Sequence, residues 1–200
     1  MGNRTADLPE LTGLPRVIRE ARYNEFSRQA VGILLVAVFA VWADPNPQVF
    51  WAGAVIAVAG ILVRLWASGF VMKNKELSTT GPYSLVRHPL YTGNILMLIG
   101  FSLANGMLWP WAVGAFFLWF WYPPAISYED KKLHSIFGAS WEAWSARTPA
   151  LVPRSLLPKS GADTGWSFAK SLKQNYEPVI VVYSFFWLWW LWQQLPLSSA

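Results

Sequence analysis

The chain contains no cysteine, which removes disulfide bonds, thiolate metal ligands and cysteine nucleophiles from its chemistry. Histidine is almost as scarce: His88 and His134 are the only two, and neither sits in an HExxH or similar spacing, so no metal site is expected. Walker, GxGxxG and GxSxG patterns are also missing. The soluble nucleotide-binding and hydrolase folds that depend on such loops therefore have no support.

Charge is the next scarcity. Charged residues make up 14% of the 200 residues, whereas apolar residues make up 54% and fourteen residues are Trp. A water-facing globule of this size needs a more polar surface. Trp near the ends of apolar runs is typical of the belts at membrane interfaces. The composition predicts an integral membrane protein.

Five apolar runs are long enough, or nearly so, to cross a bilayer as helices, which takes about 20 residues. Four lie within residues 27–126, at about 27–43, 49–72, 90–104 and 108–126, and the fifth covers 179–196. Pro- and Asn-containing turns at 44–47 and 105–106 separate two of the pairs. The expected fold is all-α, a single polytopic membrane domain over residues 1–200.

The positions of the basic residues predict how this domain is oriented. Fifteen of the sixteen Lys and Arg residues fall on one side of the five-span arrangement, and such residues concentrate in short cytoplasmic loops. Residues 1–26 and 127–178 are therefore expected in the cytoplasm and the C-terminus on the opposite side. A net charge of +5 then matches anionic lipid, with no nucleic-acid partner required.

The remaining basic residue, Arg64, lies inside the second span. It either marks a functional cavity or extends its long side chain to the interface.

Two cytoplasmic stretches, 73–93 and 127–153, are polar in an otherwise apolar chain. The first places Tyr83, Arg87, His88 and Tyr91 among prolines and glycines, a rigid backbone suited to a ligand site. The second begins with Glu129-Asp130 and continues as a predicted amphipathic helix. At the start of that helix the two carboxylates could equally serve only to compensate its dipole.

Together these stretches resemble the isoprenylcysteine carboxyl methyltransferase and phospholipid methyltransferase group. The likeness covers residues 70–153 and rests on the order of Gly-Pro-Tyr, Arg-His-Pro-x-Tyr-x-Gly, an acidic pair, Phe-Gly, Trp-x-x-Trp and Arg-x-Pro. It implies S-adenosylmethionine held on the cytoplasmic side and a lipid acceptor that enters from the membrane. The cofactor-binding residues that it implies are Lys75, Glu76, Leu77, Ser78, Tyr83, His88, Pro89, Leu90, Tyr91 and Glu129.

The sequence departs from the family pattern at two of these places. It has Glu-Asp where the family has Glu-Glu, and Ser78 where valine is common. The cofactor carboxylate is therefore either Glu129 or Asp130. A protein carboxylate at this position can pair with the ammonium group of the cofactor, and Arg87 or His88 can bind the carboxylate group of the cofactor. Arg87, His88 and Glu129 are the catalytic candidates, and methyl transfer from a sulfonium requires no metal.

Two other functions remain open. A sterol-reductase-like enzyme using NADPH would share the scaffold. Those enzymes have a pattern similar to Arg-His-x-Asn-Tyr, whereas this chain has Arg87-His88-Pro89-Leu90-Tyr91, with proline and no asparagine. A non-enzymatic membrane protein could use the same Trp and Tyr residues only as anchors. The identity of the methyl acceptor, the role of the fifth span and the oligomeric state are also left open.

Overall fold

A computed structural model describes residues 4–5, 8–70, 76–158, 166–173 and 177–196. Every regular element in these ranges is helical, so the all-α prediction is confirmed. The elements are α1 (Gly13–Tyr23), α2 (Glu25–Val41), α3 (Pro47–Ser68), a 3₁₀ helix (Gly81–Ser84), α4 (Pro89–Ala104), α5 (Trp109–Phe137), α6 (Ala139–Ser145), α7 (Phe168–Lys173) and α8 (Glu177–Gln193).

Local sequence explains where the central helices begin. The Asn24 side chain accepts hydrogen bonds from the backbone N–H groups of Phe26 and Ser27, and so caps α2. Asn46 caps α3 in the same way through Val49, with Pro47 at the first helical position. Helix α1 was not predicted, because its apolar and Arg residues alternate in a segment too short and too charged to resemble a span.

Helices α3 and α4 form the closest pair in the fold, because small residues face each other along their contact. A Cβ added at Gly53 would lie 2.5 Å from the carbonyl oxygen of Gly100, and one at Gly60 would lie 2.6 Å from that of Gly93. Only glycine permits this backbone approach, which is the usual way that membrane helices pack tightly. The pair carries Arg64 on one helix and the Arg87–Tyr91 motif at the start of the other.

The length and composition of one helix, α3, suit a membrane crossing. Helices α1 and α2 would qualify together as a second span, broken by a bend of 73°. Helix α4 is apolar but has 16 residues, and α8 has 17, both short of the usual 20 or so. Large apolar side chains are exposed on the outer faces of the helices, as lipid contact requires: Phe26, Leu34, Trp51, Val55, Phe116, Trp119, Val182 and Trp189. The five-span arrangement stays a prediction.

Helix α5 differs from its prediction. Instead of a span that ends near residue 126 and a new helix that begins at Glu129, one helix of 29 residues passes through Pro123 and Pro124. Pro124 has no N–H to donate to the carbonyl oxygen of Phe120. The Arg22 guanidinium, from α1, donates to that oxygen instead, at 2.7 Å. Glu129 therefore lies well inside a helix, and compensation of an N-terminal dipole is excluded as its role.

Candidate functional site

The 3₁₀ helix at Gly81–Ser84 fixes the first part of the motif. Gly81 has a φ of +57°, which side chains disfavour, and the Phe70 ring occupies the space where its Cβ would lie. The next two residues, Pro82 and Tyr83, are buried. The indole Nε1–H of Trp144, in α6, donates to the carbonyl oxygen of Tyr83 at 3.2 Å. The two polar stretches of the sequence are thus joined at this point.

Arg87 joins them a second time. Its Nε and Nη2 donate to the two carboxylate oxygens of Asp130 at 3.3 and 2.9 Å, and its Nη1 donates to the carbonyl oxygen of Thr148 at 2.8 Å. Its backbone N–H donates to the carbonyl oxygen of Pro149. A bidentate guanidinium–carboxylate pair fixes distance and orientation together. Arg87 therefore locks the segment after α6 and the end of α5 against the start of α4.

His88 lies at the centre of the cluster, and only 2% of its side chain is exposed. Its Nε2 lies 3.0 Å from Oδ1 of Asp130, and its Nδ1 lies 3.6 Å from Oε2 of Glu129. Burial alone would lower the pKa of His88, but hydrogen bonds and charge from Asp130 and Glu129 raise it above its ordinary value. The imidazole therefore keeps its proton to a higher pH than an ordinary histidine does, and it contacts both carboxylates.

The two neighbouring carboxylates have different surroundings. The Asp130 side chain is 17% exposed, and both of its oxygens are already bound by Arg87 or His88. The Glu129 side chain is 46% exposed and makes the longer contact with His88. Burial opposes ionisation of both, but contacts with His88 lower the pKa of each, assisted by Arg87 at Asp130 and by Tyr91 and Arg28 at Glu129. Glu129 is the ionised carboxylate that keeps room for a ligand.

Tyr91 is one helical turn from His88, and the two rings stack with centroids 5.5 Å apart. Its hydroxyl oxygen accepts a hydrogen bond from Nη1 of Arg28 at 3.1 Å. The Arg28 guanidinium also lies 4.8 Å from the centre of the Tyr91 ring. The sequence did not indicate Arg28 as a site residue, since it belongs to α2, 63 positions away along the chain. In the sequence, Arg28 is notable only as a charged residue at the edge of an apolar run.

The other predicted site residues have different surroundings: some are packed in the protein interior, one is exposed, and one lies outside the described residues. Leu77 and Leu90 pack against the buried cluster of Ala67, Tyr83 and Trp144, and Pro89 begins α4. Burial, reinforced by the charge of Glu129, raises the pKa of Tyr83. The Ser78 hydroxyl donates to the carbonyl oxygen of Phe70 at 3.0 Å. Glu76 is exposed. Lys75 lies outside the described residues, as do residues 71–74 of the motif and of the predicted second span.

Arg64 does not extend to the interface. Its Nη2 and Nε donate to the two oxygens of Glu177 at 2.7 and 3.2 Å, and its Nη1 donates to Oδ1 of Asn94. The two charged side chains are 8% and 1% exposed. This buried pair connects α3, α4 and the start of α8 just beneath the cluster.

An open groove lies beside the cluster, between α5 and α6. Its volume is about 380 Å³, within the usual range for small-molecule sites. It is lined by Pro123, Ile126, Ser127, Asp130, Lys131, His134 and Trp141. Within the described ranges, no three His, Asp or Glu side chains group together as metal ligands would.

The fold and the site define the class of protein. It is a helical membrane protein whose outer faces suit lipid and which has a cluster of Arg, His, Tyr and carboxylate groups at one end of its helix bundle. The profile of the phospholipid methyltransferase family matches residues 47–140, and the chain belongs to this family. The resemblance inferred from the motifs is therefore confirmed.

Three relatives give the range of the similarity. The cobalt-zinc-cadmium resistance protein CzcN of Cupriavidus metallidurans is 31% identical over 175 residues, which cover 80% of each chain. The nickel-cobalt-cadmium resistance protein NccN of Alcaligenes xylosoxydans xylosoxydans is 32% identical over 145 residues, covering 66% of this chain and 65% of that one. The protein-S-isoprenylcysteine O-methyltransferase of Schizosaccharomyces pombe is 32% identical over 88 residues, 43% of this chain and 36% of the enzyme. No solved structure matches the chain.

Proposed function

We propose that the protein is an S-adenosylmethionine-dependent methyltransferase that acts on a lipid or lipid-like acceptor at the cytoplasmic membrane face. The observation that carries the proposal is the cluster in which His88 holds Asp130 on one side and Glu129 on the other. Family membership and the similarity to the isoprenylcysteine methyltransferase support the same reaction. They favour it over the reductase alternative.

The residues present fit the cofactor in charge. Glu129 is ionised and partly exposed, so its free oxygen suits the ammonium of the cofactor. The Tyr91 ring, which stacks on His88 and is half-buried, offers an aromatic surface for the rest of the ligand. The bound cofactor supplies an electrophilic methyl group that its own sulfonium charge has already activated.

The residues of the chain then act by positioning. Arg87 keeps Asp130 and the 145–150 segment in place, Asp130 orients His88, and His88 orients Glu129. Both ring nitrogens of His88 face carboxylates, so the ring is poorly placed to take a proton from an acceptor. Holding donor and acceptor in contact can lower a barrier by several kcal/mol without any base. A carboxylate or thiolate acceptor suits such a site better than a protonated amine.

We further propose the five-span topology, with the N-terminus and the cluster in the cytoplasm and the C-terminus on the opposite side. Residues 42–46 and 105–108 would then share the outer side. The backbone N–H of Asp44 donates to the carbonyl oxygen of Asn105 at 2.9 Å, so these two turns do lie together. The exposed apolar faces of α2, α5 and α8 would contact lipid.

The test is calorimetric binding of S-adenosylmethionine and S-adenosylhomocysteine to the protein purified in detergent. Wild type should bind both, and Glu129→Gln and His88→Ala should lose most of the affinity. Glu142→Gln is the matched control, because Glu142 is an exposed carboxylate that pairs with His134 outside the cluster. Folded wild type that binds neither compound, and binds NADPH instead, would refute the proposal and support the reductase.

A further inference from the structure

Arg28 is a buried cation at the edge of the cluster, and its residue number lies outside the 47–140 stretch that the family profile matches. It is 9% exposed, and its guanidinium contacts Tyr91 both through the hydroxyl and over the ring. Its position at the start of α2 brings a positive charge to the same level as the start of α4 and the end of the predicted fourth span.

Three arginines near the cluster, Arg28, Arg64 and Arg87, differ in their partners. Arg64 is paired with Glu177 and Arg87 with Asp130, each through two hydrogen bonds to one carboxylate. Arg28 forms no direct ion pair within the described ranges, and the bond that its Nη1 donates to the Tyr91 hydroxyl is its one side-chain hydrogen bond there. The charge of Arg28 helps to lower the pKa of Glu129, but within the described ranges the two side chains form no direct ion pair, and a buried cation without a direct partner is costly. An anionic group of a ligand is the partner that would complete it.

The Tyr91 side chain connects Arg28 with Glu129. Its hydroxyl accepts from Arg28, and the same side chain is one of the groups that lower the pKa of Glu129. The cation and the anion therefore both lie close to the Tyr91 side chain. An α-amino acid group carries an ammonium and a carboxylate on one carbon, which is the complementary pair.

We propose that Arg28 binds the α-carboxylate of the cofactor while Glu129 binds its ammonium, with Tyr91 between them. This inference rests on the proposed function. It replaces Arg87 and His88 as the expected carboxylate ligands, because Arg87 is already saturated by Asp130 and backbone oxygens and both His88 nitrogens face carboxylates. Arg28 would be a binding residue that comes from outside the family motif.

The experiment compares S-adenosylhomocysteine with its decarboxylated analogue by calorimetry, on wild type, Arg28→Gln and Arg28→Lys. Wild type should bind S-adenosylhomocysteine more tightly. Arg28→Gln should weaken that binding by about 10- to 100-fold, as expected for a lost charge-assisted hydrogen bond, and leave the analogue unaffected. Arg28→Lys should recover part of the loss. Arg16→Gln, an exposed arginine of α1, is the control and should change neither affinity.

Several results would overturn the inference while the proposed function stands. Equal wild-type affinity for the two ligands would do so without any variant, which matters if Arg28→Gln does not fold. Equal weakening of both ligands by Arg28→Gln, with a lowered melting temperature, would show a structural role only. Unchanged affinity of Arg28→Gln for S-adenosylhomocysteine would show that Arg28 does not bind the cofactor carboxylate. Wild type that binds neither ligand would instead overturn the proposed function itself.

Discussion

The buried pair of Arg64 and Glu177 allows a quantitative test of the fold. Arg64→Met keeps most of the side-chain volume but leaves the Glu177 carboxylate, 1% exposed, with no cation. Breaking a buried pair on one side costs about 3–5 kcal/mol, mainly because the remaining charge stays buried. For a chain of this size each kcal/mol shifts the melting temperature by about 2–4 °C. The expected decrease is therefore about 6–20 °C.

The double variant Arg64→Met with Glu177→Met separates this effect from a simple loss of packing. Replacing both charges with apolar groups is often nearly neutral, so the double variant should melt well above either single variant. Thermal unfolding in detergent, followed by helical circular dichroism at one scan rate, measures the cycle. Arg16→Met is the control, since the Arg16–Glu20 pair is exposed on α1 and its loss should leave the melting temperature unchanged.

Additive losses in the double variant would refute the reasoning, because they would mean that the two side chains do not share a buried contact. So would single variants that melt like wild type. In either case α8 would not be held against α3 and α4 through this pair, and the placement of the predicted fifth span beside the cluster would lose its physical basis.

Three further predictions use other parts of the fold. Gly100→Ala should destabilise the protein by about 1–2 kcal/mol net, because the new Cβ would lie 2.4 Å from a backbone nitrogen of α3. Gly114→Ala should stabilise it by up to about 1 kcal/mol, because the nearest atom to the new Cβ is 3.4 Å away. Melting temperatures of the two variants that move in the same direction would contradict this. Because the pKa of His88 is raised in the folded protein, its ion pairs are complete below about pH 6.5, the ordinary histidine pKa, and weaken as pH rises through the raised pKa. The melting temperature of wild type should therefore fall as pH rises through the raised pKa, whereas that of His88→Asn should stay flat. Because the chain has no cysteine, Met107→Cys and Ser155→Cys can be labelled selectively in sealed vesicles, and five spans require them to react from opposite sides.

Local sequence was sufficient for the helices whose boundaries depend on neighbours along the chain. The apolar run from 90 to 104 and the proline before it define α4 closely, and Asn46-Pro47 marks the start of α3. Continuation of α5 through Pro123-Pro124 was not predictable in this way, since the carbonyl group freed by Pro124 is satisfied by Arg22, 98 positions away. A proline pair removes two helical donors, and the local sequence does not show whether a distant donor replaces either of them.

The same distinction applies to the site. The order of motif residues was enough to indicate Tyr83, His88, Tyr91 and the acidic pair. It could not separate Glu129 from Asp130, because adjacent residues on a helix have the same sequence environment and differ only in the direction of their side chains. Nor could it indicate the partner of Arg64, which is 113 positions away.

Charges alternate along the cluster: Arg87, Asp130, His88 and Glu129 form one chain of contacts, and Tyr91 extends it to Arg28. Asp130 and protonated His88 each have a partner of opposite sign on both sides, so these two groups are matched without a ligand. Only the Glu129 carboxylate and the Arg28 guanidinium keep capacity for another charge. A neutral ligand would leave both of them unmatched, and an anion or cation alone would match one. A ligand that carries both charges close together would match both groups, and the proposed cofactor has this property in its α-amino acid group.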